Sequence, residues 1–161
     1  MDHIWSPWRY KYIANADRQE GCVLCRIAQE HNDVENYVVH RAQLNFILLN
    51  LFPYTSGHLM IVPYEHQASL AAVDAATTTE MLELAKRAQG ALEAEYHPDG
   101  FNIGMNLGRS AGAGIADHLH LHVVPRWSGD ANFVSVVGET RVLPEDLATT
   151  CEKLKRHFGR A

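Results

Sequence analysis

His118-Leu119-His120-Leu121-His122-Val123-Val124-Pro125 alternates imidazole with aliphatic side chains until it closes on a proline. Successive side chains of a strand point to opposite faces, so the spacing predicts a strand over His118–Pro125. Leu119, Leu121 and Val123 then turn to a core, while His118, His120 and His122 share the other face. The aliphatic row needs no function to explain it. The imidazole row does, because histidine is a poorer strand former than valine or isoleucine. Three imidazoles in one row also disfavour one another's charged forms. A lone histidine is more often structural than catalytic; three at period two, beside a glycine-rich stretch, point to a site. Imidazole is both a catalytic base and the commonest protein metal ligand, so the row is open to either chemistry, or to both in different parts.

Immediately upstream lies Gly108-Arg109-Ser110-Ala111-Gly112-Ala113-Gly114. Backbone N–H groups unobstructed by Cβ atoms form nests for phosphate oxygens. As an isolated run it would read as a flexible connection; its place next to the histidines gives it weight. Further out, Asn36–His40, Leu44–Asn50, His58–Val62 and Phe101–Asn106 read as strands bounded by turn residues, among them Phe52-Pro53-Tyr54-Thr55-Ser56-Gly57. Residues 77–96 carry Met81, Leu84, Ala85, Ala88 and Leu92 at helical spacing. Thr77 to Thr79 offer caps at one end, and Pro98 and Gly100 stop the helix at the other. A second helix is expected from Pro144 to roughly His157, with Cys151 as a small buried hydrophobe. Strands joined by short loops, with helices between them, argue for an antiparallel α+β domain. It spans residues 21–161. Residues 1–20, with Trp5, Trp8, Tyr10, Tyr12 and Ile13, form an aromatic arm expected to pack on the body or across a subunit contact.

The chain has 161 residues, 47% hydrophobic and 20% charged, which suits one globular domain with its own core. Net charge is −5, the wrong sign for a protein that holds long nucleic acid by neutralising phosphates. No apolar run approaches the ~20 residues that cross a bilayer. The N-terminal stretch lacks the pattern of a secretory signal, so the expected address is the cytoplasm, with no membrane partner. Cys22 and Cys25 form a C-x-x-C, half of a tetrahedral metal site. Two free thiols or a redox pair are the other readings, and no βαβ pattern follows to favour redox. His3, His31, His40, His97 and His157 read as surface residues.

The run His118-Leu119-His120-Leu121-His122-Val123-Val124 resembles the motif that defines the histidine triad family, His-φ-His-φ-His-φ-φ. Asn50-Leu51-Phe52-Pro53-Tyr54-Thr55-Ser56-Gly57-His58-Leu59-Met60-Ile61-Val62-Pro63 is similar to that family's Asn…Pro-x-x-x-Gly-His-x-x-φ-x-Pro segment. Trp5-Ser6-Pro7-Trp8-Arg9, Gly100–Asn106 and Pro125–Phe133 look like the branch of bacterial diadenosine tetraphosphate phosphorylases. The resemblance implies a HIT-like fold: an antiparallel sheet of about five strands with a long helix and a C-terminal helix.

It further implies chemistry. His120 would attack the α-phosphorus of a dinucleoside polyphosphate and form a nucleotidyl-histidine intermediate. Its second ring nitrogen would be pinned on a backbone carbonyl, with His122 donating to an α-phosphate oxygen. Asn50 would hold the ribose, and Ile27, Phe46 and Leu48 could line a base slot. Many family members carry Ala-Gly-Gln-x-Val-x-His before the triad. Here Ala111-Gly112-Ala113-Gly114-Ile115-Ala116-Asp117-His118 has no glutamine and is one residue longer. Asn106 and Ser110 are then the candidates for the bridging oxygen, with Gly112 and the Gly114 N–H in the phosphate loop. Arg126 and Trp127 would shape a polyphosphate exit or pack.

The partners implied are nucleotides (diadenosine polyphosphate, AMP, ADP, ATP) and orthophosphate, and the assembly implied is a homodimer. Orthophosphate attack would make a phosphorylase; water attack would make a hydrolase. A phosphoramidase and a nucleotide-binding signalling protein are the alternatives. By motif position, the C-x-x-C would share a structural zinc with His66 and His118. No organic cofactor is implied.

Overall fold

The computed structural model describes residues 21–131 and 143–159; the aromatic arm at 1–20 lies outside the described residues. Helix α1 spans Val23–Glu30 and leads into strands β1 (Val38–Arg41), β2 (Asn45–Leu49) and β3 (Leu59–Pro63). A 3₁₀ turn at Leu70–Ala72 precedes the long helix α2 (Ala75–Tyr96). Strand β4 (Gly100–Met105), a 3₁₀ turn at Arg109–Ala111, strand β5 (Leu121–Arg126) and helix α3 (Leu147–Phe158) follow. The five strands form one antiparallel sheet in the order β1-β2-β3-β5-β4.

One face of the sheet is covered by α2 and α3. Ile47, Leu49, Leu59, Ile61, Leu121 and Val123 pack there against Met81, Leu84, Ala88, Leu92, Leu154 and Phe158, and Cys151 is buried among them. The opposite face carries a smaller cluster in which Leu24 and Ile27 of α1 meet Phe46, Leu48, Met60 and Val62. Strand β2 is therefore buried on both faces, which explains its unbroken apolar run. Phe46 and Leu48 are closed into this cluster together with Ile27, all as core packing.

Three boundaries differ from expectation for local reasons. Helix α2 begins earlier than Thr77, because the Asp74 carboxylate accepts from the Thr77 N–H at 2.8 Å and from its hydroxyl at 2.7 Å. An aspartate at the N-cap is a better acceptor than the threonines. Asp146 caps α3 in the same way, accepting from Thr149 N–H at 2.9 Å, so Pro144 stands before the helix. His118, Leu119 and His120 precede β5 instead of opening it, and the Leu119 N–H donates to the Gln67 carbonyl at 2.6 Å, outside the ladder. The in–out alternation persists through them, with Leu119 joining the α2-side core.

Gly57 has φ +78°, and a Cβ there would lie 2.7 Å from Leu92 Cδ2. The turn into β3 is thus seated directly on α2. Glu80 of α2 ties the same helix to the β1–β2 turn, accepting from Leu44 N–H at 2.8 Å and Asn45 Nδ2 at 2.8 Å.

Candidate active site

The register Met60↔His122 and the partition of Leu119, Leu121 and Val123 into the α2-side core turn the histidines to the α1 side of the sheet. There the three imidazoles divide into two environments. His118 points to the C-x-x-C. Its Nδ1 lies 3.2 Å from Cys22 Sγ and 3.4 Å from Cys25 Sγ, while its Nε2 donates to the Pro63 carbonyl at 2.9 Å. His66 Nδ1 lies 3.2 Å from Cys25 Sγ. One ligand atom from each of Cys22, Cys25, His66 and His118 falls within 4.8 Å of the others.

A tetrahedron with zinc's bond lengths of about 2.0–2.3 Å has edges of roughly 3.3–3.8 Å, so four donors gathered this closely fit one ion. Two sulfurs and two imidazole nitrogens are ordinary donors for structural zinc, and the Pro63 bond on Nε2 frees Nδ1 of His118 for the ion. Burial, and then the neighbouring Cys22 thiol, push the Cys25 thiol up. A cation there would reverse that.

His120 is buried, and its Nδ1 donates to the His118 carbonyl at 2.9 Å. With Nδ1 carrying the proton, Nε2 keeps its lone pair. It has no hydrogen-bond partner among the described residues. Burial lowers the His120 pKa, which the carbonyl bond only partly offsets, so the ring is neutral. An uncharged imidazole with one nitrogen pinned and the other open is a nucleophile held ready.

His122 stands edge-on to His120, ring centroids 4.8 Å apart. Its Nδ1 meets His58 Nε2 at 3.0 Å, and its Nε2 lies 3.5 Å from the Asn106 amide. Burial, and then the repulsion two protonated rings would feel with His120 so near, push it down to about 4. His122 and Asn106 line a cavity of about 900 Å³ that runs along β4, past Tyr54 and Gly104, to Arg126 and Trp127. A space of this size suits a nucleotide-sized group.

The remaining expected residues sit as follows. Asn50 follows β2, where its Oδ1 accepts from Phe52 N–H at 2.9 Å. Ser110 is exposed in the 3₁₀ turn at Arg109–Ala111. The Gly112 N–H donates to the Arg109 carbonyl at 2.9 Å, so that amide serves the turn itself. Gly114 lies two residues further along the same loop. Arg126 donates from Nε and Nη2 to both Asp130 oxygens, and from Nη1 to Asn102 at 2.6 Å. His31, His97 and His157 are exposed, but His40 is half-buried, stacked on Phe158 at 5.2 Å. Sequence reasoning missed His58 as part of the site, although it is completely buried beside His122. Its signal was a polar residue one step before β3, in phase with Met60 and Val62 on the α1 side.

A five-stranded antiparallel sheet with alternate histidines leading into one strand, the last of them lining a nucleotide-sized cavity, defines a protein class. The HIT domain model matches residues 31–129. An AP-4-A phosphorylase of Mycobacterium tuberculosis is 37% identical over 167 residues, covering 99% of this chain and 86% of that protein. An adenosine 5'-monophosphoramidase of Schizosaccharomyces pombe is 27% identical over 65% of this chain and 74% of its own length. The crystal structure of a Zn-bound histidine triad family protein from Mycobacterium smegmatis superposes with a TM-score of 0.70 at 26% identity, covering 87% of this chain and 94% of that one. The chain belongs to the histidine triad (HIT) family.

Proposed function

We propose that this enzyme cleaves the phosphoanhydride of a dinucleoside polyphosphate by passing a nucleotidyl group through His120. The observation that carries the reading is the His120 ring, with Nδ1–H on the His118 carbonyl and Nε2 bare. In the first step the Nε2 lone pair forms a bond to the α-phosphorus as the bond to the bridging oxygen breaks. The leaving nucleotide departs with that electron pair, and His122 donates a hydrogen bond where charge builds on the α-phosphate oxygens. In the second step an oxygen of orthophosphate attacks phosphorus and His120 leaves as the neutral ring. Diadenosine tetraphosphate then yields ATP and ADP. Similarity to the M. tuberculosis AP-4-A phosphorylase supports orthophosphate over water as the acceptor.

Asn50 is assigned to the ribose, and Asn106, Ser110, Gly112 and Gly114 to the phosphates. Cys22, Cys25, His66 and His118 are assigned to one zinc ion, supported by their mutual closeness and by the Zn-bound relative. Bound there, zinc would act as a structural cross-link between two thiolates and two imidazoles. Residues 21–161 are read as one HIT domain with residues 1–20 as an arm, acting in the cytoplasm as a homodimer.

The test is product identity. With diadenosine tetraphosphate, ADP and ATP should form only when orthophosphate is present, and His120→Asn should bind nucleotide while turnover falls at least about 10⁴-fold. AMP formed with or without phosphate would make the protein a hydrolase. Full activity in His120→Asn would remove the mechanism altogether. The fungal relative keeps a second reading in play, cleavage of adenosine 5'-monophosphoramidate, and the same assay with that substrate decides it.

A further inference from the structure

We propose that His58 is a positioning residue that fixes which ring nitrogen of His122 carries the proton, so that His122 faces the cavity as a hydrogen-bond donor. The wiring starts at a group whose role cannot change. The Tyr54 backbone N–H donates to His58 Nδ1 at 3.2 Å, and an amide N–H is never an acceptor. The Asn50 amide nitrogen approaches the same Nδ1 at 3.5 Å, with its own oxygen held by Phe52 N–H at 2.9 Å. Two donors on one nitrogen leave it unprotonated.

A neutral imidazole then carries its single proton on Nε2. His58 Nε2–H faces His122 Nδ1 at 3.0 Å, so that nitrogen accepts in turn. His122 is neutral at physiological pH, since burial holds its pKa down to about 4. Its one proton is therefore on Nε2, the nitrogen next to Asn106 in the cavity wall. The same chain sets Asn106. In the free site its oxygen turns to that N–H, since two donors would repel; a substrate phosphate oxygen would take its place as acceptor, with the amide N–H₂ beside it.

Position supports the role. His58 is completely buried, one residue past Gly57, and its ring lies 5.1 Å from the His122 ring and 4.7 Å from Tyr54. A buried imidazole bonded through both nitrogens cannot rotate without leaving a polar atom unpaired. The orientation of His122 is thus tied to the main chain of the Tyr54 turn. Had Nδ1 of His122 held the proton, Nε2 would present a lone pair to the phosphate oxygens and repel them.

The experiment reads the tautomer directly, by two-bond ¹H–¹⁵N correlation spectra of the histidine rings in the full chain near neutral pH. In the wild type, His58 and His122 are both expected as Nε2–H. His58→Phe keeps the ring bulk and removes the donor. It should move His122 to a mixture of tautomers and lower kcat by about tenfold to a hundredfold with little change in KM. His58→Gln, whose amide can donate near the same point, should restore the Nε2–H form and most of the rate. Nδ1–H at His122 in the wild type overturns the proposal, as does an unchanged tautomer in folded His58→Phe. If His58→Phe does not fold, the wild-type and His58→Gln spectra decide. Nε2–H at His122 in both supports the relay, and Nδ1–H in either overturns it. Only the kcat arm rests on the reaction proposed above; correct tautomers with no nucleotide turnover would sink that reaction and leave the relay standing.

Discussion

The three triad imidazoles are chemically unlike because their second nitrogens meet different partners: a proline carbonyl for His118, a main-chain carbonyl for His120, a buried imidazole for His122. Burial lowers all three pKa values, so each makes stability depend on pH, and the largest shift is that of His122. Its pKa is about 4 in the folded chain, against about 6.5 in an unfolded one. Between those values the unfolded state binds the extra proton. Stability is therefore complete above pH ~6.5 and is lost as pH falls towards ~4. Glu80 is held below the usual carboxylate range by the bonds it accepts from Asn45, Leu44 and Gln43, which outweigh its burial. Its contribution is lost at lower pH, as the solution falls through its depressed folded value. Urea unfolding at pH 7 and pH 5 separates the two groups. The wild type should lose on the order of 1 kcal/mol from His122 between those pH values, after allowance for its partial exposure. His122→Gln should show a visibly flatter dependence; an equal slope in the variant would place the titrating group elsewhere.

At the scale of elements, the turn into β3 has little freedom. Gly57 sits at φ +78°, where a side chain is strained, and its missing Cβ leaves room for buried Leu92 of α2. Gly57→Ala should cost about 2–4 kcal/mol, read as a lower urea midpoint at unchanged m-value. A loss under about 1 kcal/mol would mean that Leu92 rotates away without consequence. The β3 strand itself was legible in sequence, as were β2, β4 and α2, because each carries its own period or apolar run between turn residues. Helix α1 was not read, since its 8 residues bury only Leu24 and Ile27, too short a pattern to declare a period. The triad and the C-x-x-C were visible because their spacing is local. The join of His58 to His122 was not, because it depends on the register Leu59↔Val123, between strands far apart in sequence. Ile27, Phe46 and Leu48, expected to line a base slot, do come together, packed under α1.

At the scale of the whole molecule, the Cys22, Cys25, His66 and His118 set joins three separate pieces: α1, the segment after β3, and the approach to β5. An isolated helix as short as α1 does not hold itself in water, and its two buried side chains supply only part of what anchors it. A metal ion in that set would supply the rest. It would also steady the His118 backbone, whose carbonyl fixes the His120 ring. Purified protein should therefore carry about one zinc per chain by elemental analysis. Stripping it with a strong chelator, or replacing Cys25 by serine, should lower Tm by about 5–10 °C, equivalent to roughly 2–4 kcal/mol in a chain of this size. Hydrogen exchange gives the sharper readout. Protection should be lost in α1 and around His66 and His118, while the interior of α2 keeps its protection. The active-site consequence should be partial, because His120 retains its core neighbours even without the cross-link. Metal-free protein with unchanged Tm and unchanged exchange in α1 would show that packing alone seats the helix.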